Sequence, residues 1–180
     1  DPSTAALDLY RASSKRSRIG FCMIEPMVNI YAGGAFTSSM TRDIGYMAEP
    51  GYQHVTIAGT ARPLLLLQES SDADIISHYG SLAGIATVID GIRELAALAG
   101  LPAPYIVMLA GWSVRAAQLA SYGADAVGAY AAVSTTTQAA APFADLAAAA
   151  AQWLRDALAA GAPAVVPTVM TGWDVRPRIQ

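Results

Sequence analysis

Apolar positions along the chain gather in five short runs, residues 19–24, 63–68, 104–109, 125–131 and 164–170, each bounded by glycine, proline or polar side chains. Most of these runs are continuous rather than alternating, the pattern of strands covered on both faces. Between them the period changes to that of helices. Residues 4–15 place Ala5, Leu9 and Ala12 on one face, with Ser3 or Thr4 positioned to cap. Residues 38–48 make a shorter candidate. Residues 75–99 make the longest, with Ile85, Val88, Ile89, Ile92 and Leu95 at three- and four-residue spacing, ended by Gly100 and Pro102. Residues 113–122 open on Ser113 as a capping serine and stop at Gly123, and residues 142–160 stop at Gly161.

Helix and strand therefore alternate five times, which predicts an α/β protein whose consecutive parallel strands are joined by helical crossovers. Two closures satisfy that order: an open doubly wound sheet or part of a (β/α)8 barrel. Neither GxGxxG nor GxxxxGK[ST] occurs after any strand, which disfavours a nucleotide-binding open sheet. The barrel is the preferred reading. A full barrel takes about 250 residues, so 180 residues are expected to hold about five of its units, residues 1–180 forming a single partial barrel domain.

Composition narrows the function without fixing it. The chain is 54% hydrophobic and 14% charged, with much of the excess in alanine. Residues 95–114 carry no charge over a length that spans a bilayer, but Gly100, Pro102, Pro104 and Gly111 break the backbone hydrogen bonding that lipid demands, so no membrane span is expected. A net charge of −3 with no basic run excludes nucleic acid as an expected partner. Cys22 stands alone, so no internal disulfide can form. The chain opens at Asp1 without an apolar leader, as an excised piece or a processed protein would. The sequence assigns neither compartment nor oligomeric state.

In a barrel, chemistry collects at the carboxyl ends of the strands. Glu25 follows the first run, with Pro26 fixing the backbone after it and Asn29 beyond. A carboxylate there suits acid, base or nucleophile, or a grip on a substrate hydroxyl; the structural alternative is an ion pair with a rim arginine. Gln68 and Glu69 follow the second run, Trp112 the third, and Tyr130 and Ser134 the fourth. The fifth leads into Gly172-Trp173-Asp174-Val175-Arg176-Pro177-Arg178. A tryptophan beside Asp174, Arg176 and Arg178 fits a sugar site, the ring stacking on the pyranose face and the charged groups taking hydroxyls. Equally, Trp173 can plug a strand end while Asp174 bridges to an arginine. Trp112 and Tyr130 are candidate stacking platforms or rim packing. His54 and His78 lie apart with no metal-binding spacing, and no GxSxG elbow is present.

The run Phe21-Cys22-Met23-Ile24-Glu25-Pro26 resembles the F-x-I-E-P strand end of family 99 glycoside hydrolases, the endo-acting α-mannosidases and mannanases. Tyr52-Gln53-His54 through Gly59 and Arg62-Pro63 resembles the lead into that group's next strand. The segment from Pro167 to Arg178 is similar to one found in related barrel domains, including those of polysaccharide biosynthesis clusters. The resemblance implies a (β/α)8 barrel that acts on glycosidic bonds of a carbohydrate through carboxylates, with no metal and no organic cofactor. It implies Glu25 and Asp174 as catalytic candidates, and Trp112, Tyr130, Trp173, Arg176, Arg178 and Asn29 as substrate-binding ones. The tyrosine usual after the proline is here Met27, and the family's later segment carrying the acid and base glutamates does not occur up to Gln180. A non-hydrolytic sugar-binding or sugar-transferring barrel, and an inactive structural piece, are the competing expectations.

Overall fold

The computed structural model describes residues 8–13, 20–129 and 142–167. After a helical segment over residues 8–12 (α1), the chain runs β1 (Met23–Pro26), α2 (Met27–Ile30), β2 (Tyr31–Ala32), β3 (Ala35–Phe36), α3 (Ser38–Tyr46), β4 (His54–Ile57) and β5 (Thr60–Gln68). It continues with α4 (Asp72–Tyr79), α5 (Gly84–Leu98), β6 (Tyr105–Leu109), α6 (Ser113–Ala120), β7 (Ala126–Gly128) and α7 (Phe143–Ala159).

The sheet is mixed. Its parallel part has the order β1-β5-β6-β7, and β4 pairs antiparallel with the first half of β5. The parallel strands thus stand side by side in chain order. In register, Glu25 lies opposite Leu67, Leu67 opposite Met108, and Met108 opposite Val127. Beyond β7, Val165 bridges Val127 in parallel, so the run at 164–170 begins its pairing as expected; residues 168–170 lie outside the described residues.

Side chains alternate across each strand, and the two faces meet different surroundings. Leu65, Leu67, Ile106, Met108 and Val127 join Ile30, Ile44, Ile75, Ile85, Ile89, Ile92, Leu119 and Ala157 in the larger core. Every helix from α2 to α7 contributes to that cluster. The opposite face carries Leu64, Leu66, Tyr105, Val107, Leu109, Ala126 and Ala164. Val107 and Ala126 are fully buried there, in a cluster that among the described residues includes no helix side chain. This two-sided burial is why β6 reads as an unbroken apolar run.

Three elements depart from the sequence reading. The long helix expected over 75–99 is two helices, because Gly80 takes φ 79° as the left-handed cap of α4 and α5 restarts at Gly84. The expected cap Ser113 is instead the first residue of α6; Trp112 occupies the N-cap and makes no side-chain capping bond. Finally, the β2–β3 hairpin and the β4 arm of the β4–β5 hairpin are too short to register as apolar runs. The first turns through Gly33 and Gly34, both at positive φ, and places Phe36 against α5. A Cβ on Gly91 would sit 2.6 Å from the Phe36 ring, which explains a glycine inside that helix.

Candidate functional site

Glu25 is the third residue of β1 and lies partly buried near its carboxyl end. Because it shares a face with Leu67, its side chain turns toward the helix-covered side of the sheet, under α3. There it meets Asp43, which is 5% exposed. Arg42 Nε donates to Asp43 Oδ1 at 2.9 Å, and the Arg42 guanidinium lies 5.7 Å from the Tyr46 ring centre. Burial, followed by the Asp43 charge, pushes the Glu25 carboxyl up to about 6, against a smaller downward pull from Arg42. A side-chain hydrogen bond with Asp43 adds a further, smaller upward push. The result is a partly buried Glu25 carboxyl that keeps its proton to a higher pH than usual, beside the Arg42–Asp43 pair.

A second group forms at the carboxyl ends of β5 and β6. It is a cleft of about 710 Å³ lined by Glu69, Ser70, Ser71, Asp72, Trp112, Val114, Arg115 and Gln118. Its position follows from the fold, since the loops after parallel strands and the first turns of the next helices open at the same edge. Ser71 caps α4, accepting from Asp74 N at 3.1 Å. Glu69 Oε1 accepts from Gly111 N at 2.6 Å and so fixes the turn that presents Trp112. From the other side Trp153 Nε1 donates to Gly111 O at 3.1 Å. Trp112 itself is 67% exposed. Arg115 pairs with Asp72 and donates to Gln118 Oε1 at 3.0 Å. The cleft thus offers a flat aromatic ring held on a rigid turn, with two carboxylates, a guanidinium, an amide and hydroxyls around it.

The structure does not gather the sequence candidates into one place. Glu25 is not among the cleft's lining residues. Asn29 is exposed on α2, and its carbonyl accepts from Thr37 Oγ1 at 3.0 Å. Met27, where the resembling family carries tyrosine, is 1% exposed, and its carbonyl accepts from the Tyr79 hydroxyl. Tyr130, Ser134, Trp173, Asp174, Arg176 and Arg178 lie outside the described residues. Among the described residues no group of three His, Cys, Asp or Glu could hold a metal ion, and no single helix is long and apolar enough to cross a membrane.

Sequence reasoning passed over Asp43, Asp72 and Arg115. Asp43 had a readable signal: Met40, Ile44 and Met47 define a buried stripe at helical spacing, and Asp43 is the charge inside it. A charge on an apolar stripe needs a partner, and Arg42 is one. Asp72 and Arg115 stand 43 positions apart, and only the sheet order brings them together. Comparison with family models, with curated proteins and with solved structures gives no match for this chain.

Proposed function

We propose that the chain is an arc of a (β/α)8 barrel that acts on a carbohydrate, in the manner of a glycoside hydrolase. Parallel strands in chain order, with helix side chains gathered on one face, support the barrel. The carbohydrate reading is carried by Trp112: an indole two-thirds exposed beside carboxylates and a guanidinium, where such folds seat their ligands. In this reading a sugar ring stacks on Trp112, and Glu69, Gln118 and the Asp72–Arg115 pair take its hydroxyls. Glu25 holds the proton that a leaving oxygen requires.

The test uses the full-length protein and a panel of oligosaccharides, following binding by tryptophan fluorescence and cleavage by reducing-end release. Trp112→Ala should weaken binding at least tenfold with an unchanged melting temperature, because the ring makes little buried contact. Glu25→Gln should lower turnover by a factor of 100 or more with binding retained. A protein that binds no glycan in the panel sinks the reading. The second reading, sugar binding without cleavage, is favoured by one observation: the cleft's own carboxylates are already engaged, Glu69 with Gly111 and Asp72 with Arg115. It predicts that Trp112→Ala loses binding while the unsubstituted protein releases no reducing ends.

A further inference from the structure

We propose that the cleft at the ends of β5 and β6 selects a ligand carrying a protonated amine, which is an amino sugar on the carbohydrate reading this inference rests on. The formal charges of its lining are unbalanced: two negatives, Glu69 and Asp72, stand against one positive, Arg115. Exposure sharpens the imbalance. The Asp72 side chain is 56% exposed and that of Arg115 only 17%, so an arriving ligand meets the carboxylate before the guanidinium. Arg115 is also engaged on the protein, pairing with Asp72 and donating from Nη1 to Gln118 Oε1 at 3.0 Å. Glu69 Oε1 accepts from Gly111 N at 2.6 Å, a neutral donor that leaves the carboxylate charge uncompensated.

The indole points to the same class. Trp112 offers a ring two-thirds exposed, and the face of an indole attracts a cation lying over it. Carboxylate and aromatic face around one cleft therefore favour an ammonium twice over, charge to charge and charge to quadrupole. An acidic sugar fares worse: it meets two like charges, and it gains Arg115 only by displacing Asp72 or Gln118. The amino ends of α4 and α6 also open on the cleft and pull the other way. In α4 that end is already answered by Asp72 and Asp74 in its first turn and by the Ser71 cap. The end of α6 has no acid in its first turn and no side-chain cap. Its pull is that of about half an elementary charge, less than the full formal charge by which the carboxylates exceed Arg115. A neutral sugar stacks on Trp112 and leaves that excess unanswered.

The experiment is titration calorimetry of the full-length protein at about pH 5.5, where a sugar amine is protonated and ordinary carboxylates are ionised. The ligands are a glucosamine oligomer, its N-acetylated counterpart, a galacturonate oligomer of the same length, and putrescine as an amine without a sugar. The glucosamine oligomer should bind at least about fivefold more tightly than the N-acetylated one. That ratio should fall below about twofold in 1 M salt, where charges are screened beyond about 3 Å. Asp72→Asn removes one carboxylate, and Glu69→Gln removes the other while keeping an acceptor for Gly111 N; each should lower the ratio at least about twofold. Should one variant fail to fold, the other decides. A ratio unmoved by the substitutions overturns the proposal. So does an N-acetylated or galacturonate oligomer that binds as tightly as the amine, a result that leaves the carbohydrate reading standing. Putrescine bound as tightly as the glucosamine oligomer, with no neutral glycan bound, sinks the carbohydrate reading and leaves the amine assignment standing. Binding by none of the four overturns both.

Discussion

Arg62 on β5 grips Asp125 at the entry to β7 with both arms of its guanidinium, at 2.9 and 3.0 Å, and so spans the intervening strand β6. The same arginine donates to the carbonyls of Ala103 and Pro104, at 2.9 and 2.7 Å. Asp125 Oδ2 in turn accepts from Ile106 N at 3.0 Å and lies 3.3 Å from Arg93. Arg62 also lies over the Tyr105 ring, 5.3 Å from its centre. This network closes the amino-terminal ends of three neighbouring strands, the edge opposite the cleft. The Arg-Pro pair that resembles a family motif therefore has a structural role here.

Breaking that network should be costly without touching the site. Asp125→Ala removes the carboxylate shared by two guanidinium groups, each about three-quarters buried or more, and is expected to destabilise by about 3 kcal/mol. Arg62→Lys cannot reproduce the two-armed contact and should lose a large part of the same amount. Urea unfolding midpoints measure both, and glycan binding at Trp112 should persist wherever the protein is folded. A loss under about 0.5 kcal/mol for Asp125→Ala would show the network to be ornamental.

Tyr52 makes a second tie of this kind between β1 and β5. Its buried hydroxyl donates to Leu64 O at 2.7 Å and accepts from Met23 N at 3.4 Å, while its ring packs edge-on against Phe21. Tyr52→Phe keeps the ring and leaves the Leu64 carbonyl without that donor, so the expected loss is about 1 to 2 kcal/mol. Thermal unfolding of the variant against the unsubstituted chain checks it, and an unchanged melting temperature would refute the tie.

Much of the framework was legible because burial on both faces leaves an unmistakable mark. Tyr105–Leu109 carries no charged residue, and β6 forms within one residue of the run at 104–109, whereas β1, at Met23–Pro26, begins four residues after the start of the run at 19–24. The helix α7 likewise follows the Pro142 start and Gly161 stop. What escaped was held together by pairing, not by pattern. The β4–β5 hairpin contains Thr56, Thr60, Ala61 and Arg62, and its strand character comes from its partner's backbone. The break at Gly80 escaped because Ile76, Leu82 and Ile85 continue an apolar rhythm across it; a left-handed residue is invisible to periodicity. For the candidate site, Glu25 and Trp112 were visible from their places at strand ends. Their separation was not, because which side of β1 Glu25 faces depends on register with Leu67.

The β4–β5 turn offers a change in the stabilising direction. Ala58 has φ 49°, a left-handed conformation that costs an L-residue with a Cβ about 1 kcal/mol, and Gly59 follows at φ 81°. Two such residues in succession are what a tight hairpin of this hand requires. Ala58→Asn, giving Asn-Gly at the turn, should raise stability by about 0.5 kcal/mol. Conversely, Gly80→Ala puts a Cβ at φ 79° with no steric neighbour within 4 Å, so its cost, about 1 kcal/mol, is purely conformational. Chemical denaturation of the two variants should give opposite signs, and equal signs would contradict the backbone assignment.

The last expectation concerns pH. Glu25 titrates near 6 in the folded protein, above its ordinary value of 4.5, chiefly because it is buried and then because Asp43 lies beside it. Between those values the folded chain binds more proton than the unfolded one, so this group's contribution to stability falls as pH rises. The contribution is complete below about 4.5, is lost through about 6, and does not return above it. With allowance for partial exposure the change amounts to about 1 to 2 kcal/mol. Glu25→Gln keeps a hydrogen-bond donor for Asp43 and cannot ionise, so it should be more stable than the unsubstituted chain at pH 7.5 and nearly equal to it at pH 4.5. Melting temperatures at the two pH values measure the difference. If the two proteins stay parallel across that range, Glu25 does not ionise there, and its role as a proton store near neutral pH fails with it.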